Sequence, residues 1–139
     1  SLQEKVYSHG PSDKGASGFI DKTKEYGLEN IIANNLNIID FNSDGFSDIV
    51  VLPEHYSQPR FYQFDIHKSK FFEVDSLFEK NIKASYILFY DLDKDKILDA
   101  IVGVLNQKSE LTPDPIRIYK GVKSKDGKIT FPEIKIKIE

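Results

Sequence analysis

Two nine-residue segments of this chain place side-chain oxygens at their first, third, fifth and ninth positions. The first carries Asp40, Asn42, Asp44 and Asp48; the second, fifty-one residues further on, carries Asp91, Asp93, Asp95 and Asp99. Carboxylates and amides at that spacing suit a hard divalent cation. Calcium takes roughly six to eight oxygen ligands from carboxylates, carbonyls and water in a flexible shell. The four side chains of each loop, with the backbone carbonyl of position 7 (Phe46 or Ile97), supply about that many. Gly45 stands at position 6, where the chain must turn sharply and a positive φ is convenient. Lys96 stands there in the second loop, and a non-glycine residue in a left-handed conformation costs on the order of 1 kcal/mol. Both loops are expected to bind, one ion each, with Ca2+ as the cofactor.

An EF-hand shares the opening spacing and the glycine but also needs a bidentate glutamate at position 12 and flanking helices. Position 12 is Val51 in one loop and Val102 in the other, both inside β-branched runs. Asp, Asn, Ser and Gly also favour turns that bind nothing. Two copies at matching places, one of them packing four carboxylates into nine residues, favour a cation over that plainer reading.

The rest of the composition excludes more than it suggests. A chain of 139 residues, 40% apolar and 12% aromatic, can bury a core as a single domain. Seven of its 22 acidic residues lie in the two loops, so the charges elsewhere nearly balance and no attraction to nucleic acid or anionic membrane is expected. No apolar run approaches the roughly 20 residues of a membrane-spanning helix. The absence of cysteine removes disulfides and thiolate chemistry. With no methionine, the chain is expected to be a processed product or a piece of a larger one. His9, His55 and His67 share no metal-ligand spacing, and no phosphate loop, nucleophile elbow or zinc helix is present. No catalytic residue is assigned and the chain is read as non-enzymatic.

Positioning the loops requires strands. Residues 1 to 18 are rich in turn formers toward their end and read as a tail or linker, with order beginning near Phe19. Runs at Leu36 to Phe41, Asp48 to Leu52, Arg60 to Ile66 and Lys70 to Val74 form a first unit. Runs at Tyr86 to Tyr90, Ala100 to Leu105, Ile116 to Tyr119 and Lys128 to Phe131 repeat that order. The second unit has five extra residues between its second and third strands, in a loop holding Pro113 and Pro115, and Asp126-Gly127 predicts a hairpin. Lys22 to Leu28 is the one short helical stretch. Phe61, Tyr62, Phe64, Phe71 and Phe72 are candidate core residues. The loop from Pro53 to Arg60 concentrates groups suited to partner contact. Four short strands per repeat at this period predict an all-β chain of two four-stranded antiparallel propeller blades, about 36–81 and 84–139, with 19–35 contributing a preceding blade edge.

The segments Asp40-Phe41-Asn42-Ser43-Asp44-Gly45-Phe46-Ser47-Asp48-Ile49-Val50-Val51 and Asp91-Leu92-Asp93-Lys94-Asp95-Lys96-Ile97-Leu98-Asp99-Ala100-Ile101-Val102 resemble the FG-GAP or VCBS repeats of integrin-α-like β-propellers. Phe19, Asp21, Thr23, Gly27 and Leu28 are similar to the phrase that precedes such repeats in secreted members. The resemblance covers about residues 19 to 139. It implies structural calcium between the first and second strands of each blade, and a recognition or adhesion role toward a protein or glycan in an extracellular, cell-surface or periplasmic setting. The alternative is a scaffold for a secreted hydrolase or other enzyme whose catalytic residues lie elsewhere. Propellers need about four to eight blades, so two imply a homo-oligomer or the remainder of a larger propeller.

Overall fold

A computed structural model describes residues 7–9, 18–105 and 114–132. The chain is all-β and antiparallel, with no helix among the described residues. The strands are β1 (Tyr7–His9), β2 (Phe19–Asp21), β3 (Asn35–Ile39), β4 (Asp48–Leu52), β5 (Arg60–Asp65), β6 (Lys70–Val74), β7 (Ala84–Tyr90), β8 (Asp99–Val104), β9 (Ile116–Tyr119), β10 (Val122–Lys123) and β11 (Ile129–Thr130). They form a four-stranded meander β3-β4-β5-β6, a three-stranded meander β7-β8-β9, and two ribbons, β1-β2 and β10-β11. The sheets do not close on one another.

The β-branched run of β4 is buried along its whole length because both of its faces are covered. Val50 and Leu52 point to one side with Phe61 and join Ile87, Ala100 and Val102 of the second sheet in a shared core. Ile49 and Val51 point to the other side with Tyr62, where Leu28, Ile31, Ala33 and Phe71 pack over them. A shift of fifty-one residues relates Ile49 and Val51 to Ala100 and Val102. The second sheet therefore lays against the first the face that the first turns away. The two units are stacked in the same sense, and Asn37 Nδ2 donates across the join to the carbonyl of Ile87 at 2.8 Å. Among the described residues nothing covers the last face in the stack: Ile118, the counterpart of fully buried Phe61, is 47% exposed, beside exposed Leu88 and Ile116.

Several expectations change. Lys128 to Phe131 does not add a fourth strand to the second sheet. β11 instead pairs with β10, and its apolar residues turn into the core between the sheets, where Phe131 stacks on Phe78 with ring centroids 5.0 Å apart. Ile129 N–H donates to Phe41 O at 2.8 Å, tying this hairpin to the first acidic loop. Register shows that the insertion in the second unit is six residues: thirteen positions separate Ile49 from its partner Tyr62, and nineteen separate Ala100 from Tyr119.

Part of the expected tail is a strand, since β1 pairs with β2. Lys22 to Leu28 makes one turn, Tyr26 N–H donating to Lys22 O, and stops at Gly27, whose φ of 75° no helix continues. The segment from there to Ala33 covers a sheet face where a blade edge was expected. Phe72 is exposed. Pro113 and the remainder of the tail and of residues 133–139 lie outside the described residues. No helix among the described residues is long and apolar enough to cross a membrane.

Phe131 fills the join between the two units, so Phe131→Ala is expected to lower unfolding free energy by about 3–5 kcal/mol. Urea denaturation followed by circular dichroism checks this; a loss below about 1 kcal/mol would show that the hairpin does not contribute to the core.

Candidate metal centre

Each acidic loop joins the first two strands of its sheet, β3 to β4 and β7 to β8. The two loops fold through the same set of hydrogen bonds. Asp40 accepts from Asp44 N–H at Oδ1 (3.2 Å) and from Gly45 N–H at Oδ2 (2.8 Å). Asp91 accepts likewise from Asp95 N–H (3.1 Å) and Lys96 N–H (2.8 Å). Position 5 accepts from position 7, with Phe46 N–H to Asp44 Oδ1 and Ile97 N–H to Asp95 Oδ1 both at 2.9 Å. Side chains four and five residues upstream thus wind the backbone around position 1.

That winding needs left-handed residues. Gly45 (φ 87°) and Lys96 (φ 73°) supply one at position 6, as expected. Ser43 (φ 60°) and Lys94 (φ 62°) supply a second at position 4, which nothing in their residue types signals.

The position 9 carboxylates are buried, Asp48 completely and Asp99 at 3% exposure. Asp48 Oδ2 accepts from Phe41 N–H (3.1 Å) and Oδ1 from Phe64 N–H (2.9 Å). Asp99 Oδ2 accepts from Leu92 N–H and Oδ1 from Gly121 N–H, both at 2.9 Å. One carboxylate thereby holds the start of its loop to the far end of the third strand. Each oxygen keeps a further lone pair for a cation. Burial pushes the Asp48 carboxyl up from 3.8 to about 6, opposed by the two N–H donors and reinforced by the charges of Asp44 and Asp40.

Asp40, Asp44 and Asp48 bring carboxylate oxygens within 4.8 Å of one another, and Asp91, Asp93 and Asp99 do the same. Both groups can hold a metal ion. Asn42, the remaining side chain expected at the first site, donates from Nδ2 to Asp44 Oδ2 at 3.0 Å and sits on the same cluster. Asp95 is drawn instead toward Lys120, whose ammonium bridges Asp93 and, at 2.7 Å, Asp95. The lysine holds the Asp95 carboxyl below its ordinary value, and the two carboxylates raise the lysine. Phe46 and Ile97 take the expected seventh positions; the Phe46 ring leans on Phe64, with centroids 6.2 Å apart.

Sequence reasoning missed Lys120 and Gly121. Arg117-Ile118-Tyr119 matches Arg60-Phe61-Tyr62 in strand register, which makes Lys120 the counterpart of Gln63 and Gly121 that of Phe64. The six-residue insertion hid this alignment. A Cβ on Gly121 would lie 1.9 Å from Leu98 O, so only glycine lets the backbone approach Asp99 here.

The loop from Pro53 to Arg60 engages its polar groups with other parts of the chain. Arg60 forks onto Glu73 (Nε to Oε2 2.8 Å), Gln58 donates to Asn81, and Tyr56 Oη donates to Asp114 Oδ2 at 2.7 Å. Ser57 and Ala84 exchange backbone hydrogen bonds. This loop clasps the first unit to the second.

No protein-family model matches the chain, and a search of curated proteins finds no match either.

Two outcomes follow from the loop geometry. A carboxyl with a folded-state pKa near 6 favours the fold when protonated; that contribution is complete below 3.8 and lost as pH rises through about 6. In EDTA the unfolding free energy is therefore expected to rise as pH falls from about 7.5 to 5.5, by about 1 kcal/mol, read as a higher melting midpoint. A flat profile across that range would mean that ionised Asp48 is not penalised by burial. Lys96→Gly relieves a left-handed residue and is expected to stabilise the chain by about 1 kcal/mol, read as a higher denaturation midpoint; an unchanged or lower midpoint counts against strain there.

Proposed function

We propose that this chain is a calcium-stabilised, non-enzymatic recognition or adhesion module of the FG-GAP/VCBS kind, its two sheets acting as blades of a propeller in a secreted or surface protein. The observation that carries the reading is the duplicated loop. Both copies wind around a position 1 carboxylate and bury a position 9 carboxylate, and both gather three acidic oxygens where a cation would sit. A surface turn needs one or two such bonds, whereas this arrangement brings like charges together. Oxygen-only donors with a flexible shell favour calcium over softer ions. The ion's work is structural: it offsets the repulsion among Asp40, Asp44 and Asp48 and fixes the turn from one strand to the next.

The blade reading draws support from the way the units stack. The second sheet offers the first the face that the first turns the other way, the translation that repeat architectures use. The open face around Leu88, Ile116 and Ile118 then receives a further blade, from a second copy of the chain or from the remainder of a larger propeller. The partner recognised by the assembled module is a protein or glycan.

Adding calcium to EDTA-treated protein is expected to raise the melting midpoint; at 100 times the dissociation constant the gain is about 2.7 kcal/mol per site. Asp44→Ala should abolish the contribution of the first loop. Unchanged melting on calcium addition, in both the wild type and Asp44→Ala, would remove the calcium reading. For the assembly, light scattering is expected to report a multimer that Ile118→Glu dissociates. A folded monomer insensitive to that change would rule out self-association through this face.

A further inference from the structure

The two loops are alike in backbone and unlike in their nearest cation. Among the described residues, the carboxylates of the first loop have no lysine or arginine paired with them; Asn42 donates to Asp44 in their place. In the second loop the Lys120 ammonium sits between Asp93 and Asp95. Its place is set by the fold. The buried Asp99 receives Gly121 N–H, and the absence of a side chain on Gly121 lets the backbone press against Leu98. Lys120, one residue earlier, is consequently delivered at the mouth of the loop by the same contact that anchors position 9. Lys94, within the loop, turns away over the Tyr90 ring, its Nζ 4.9 Å from the centroid, and leaves the carboxylates to Lys120.

We infer that Lys120 is a built-in counter-ion that takes the place of metal at the second loop, so that the two sites divide their labour: the first depends on calcium, and the second is assembled without it and admits calcium only when the ammonium withdraws. This rests on the calcium reading of the loops and adds to it an order of filling. An ammonium offers three donors to carboxylate oxygens and one positive charge. A divalent ion arriving at Asp91, Asp93 and Asp99 must recover Asp93 from Lys120 and tolerate a neighbouring like charge. At contact distances in a partly solvated site that repulsion is worth about tenfold or more in affinity. The first loop, with Gln63 at the matching position, carries no such penalty.

The test compares the wild type with Lys120→Gln, which installs the residue of the first unit, and with Gln63→Lys, which makes the converse change. Isothermal titration of EDTA-treated protein with calcium chloride reads stoichiometry and affinity, and thermal melting in EDTA reads the metal-free fold. The wild type is expected to bind one calcium tightly and a second at least about tenfold more weakly. Lys120→Gln should bring the weak step toward the strong one, and Gln63→Lys should weaken the strong step. In EDTA, Lys120→Gln should melt below the wild type and recover more on calcium addition, since it has lost the internal cation and gained a metal site.

Two equal steps in the wild type, unchanged by Lys120→Gln, would overturn the inference while leaving both calcium sites standing. A weak step that Lys120→Gln fails to strengthen would also overturn it. Absence of calcium binding in all three proteins would overturn the calcium reading itself. In that event, an unaltered EDTA midpoint for Lys120→Gln would dispose of the counter-ion as well, and a lowered one would preserve only its metal-free role.

Discussion

The architecture depends on one buried carboxylate in each repeat. Asp48 and Asp99 each lie beneath an acidic loop and accept two backbone N–H donors, one from the start of the loop and one from the far end of the third strand or just past it. Burying an ionised group is costly, and the hydrogen bonds to both oxygens offset only part of that cost, since the Asp48 carboxyl is still pushed up to about 6. The same bonds close the loop on itself and fix the distance between non-adjacent strands. They also place position 9 directly under the oxygens of positions 1 and 5 or 3. The loop is therefore shaped by its floor, and the exposed carboxylates inherit their geometry from it.

This division of roles explains what could be read in the sequence. Strand positions followed from the apolar runs, and β4, β6 and β9 begin and end where expected, because Asp, Gly and Pro bound those runs sharply. The loop ligands were legible because their spacing is local. What was not legible depends on distant partners. Lys128 to Phe131 has the pattern of a sheet strand, but that pattern does not state which edge it joins, and Ile129 and Phe131 are buried between the sheets and not beside β9. Lys120 and Gly121 were invisible because their meaning lies in register with Gln63 and Phe64, which a six-residue insertion offsets. The left-handed backbones of Ser43 and Lys94 are imposed by the hydrogen bonds around them, and their own residue types give no warning.

The stacking of the two units shows how one repeat can take different environments. Ile49 and Val51 meet the short segment around Leu28 and Ile31, whereas their counterparts Ala100 and Val102 meet a whole sheet. The smaller Ala100 suits that closer approach, since interiors tolerate little excess volume. Phe61 and Ile118 face the opposite contrast, one enclosed and one open. Position in the stack, more than the residue at a given repeat position, sets burial.

The hydrogen bond from Ile129 N–H to Phe41 O joins groups 88 residues apart, and Gly127 rests against the carbonyl of Asn42. The first acidic loop thus has local ends but a remote lid. Contacts of such long sequence separation form slowly, because the intervening chain must be closed into a loop before they are made. On a ribosome releasing residues one at a time, the first loop is exposed well before this hairpin emerges, while the second loop lies only some twenty residues from Gly121, which donates to its Asp99. The covering of the first loop must therefore wait for nearly the whole chain, although the loop itself is among the first parts made.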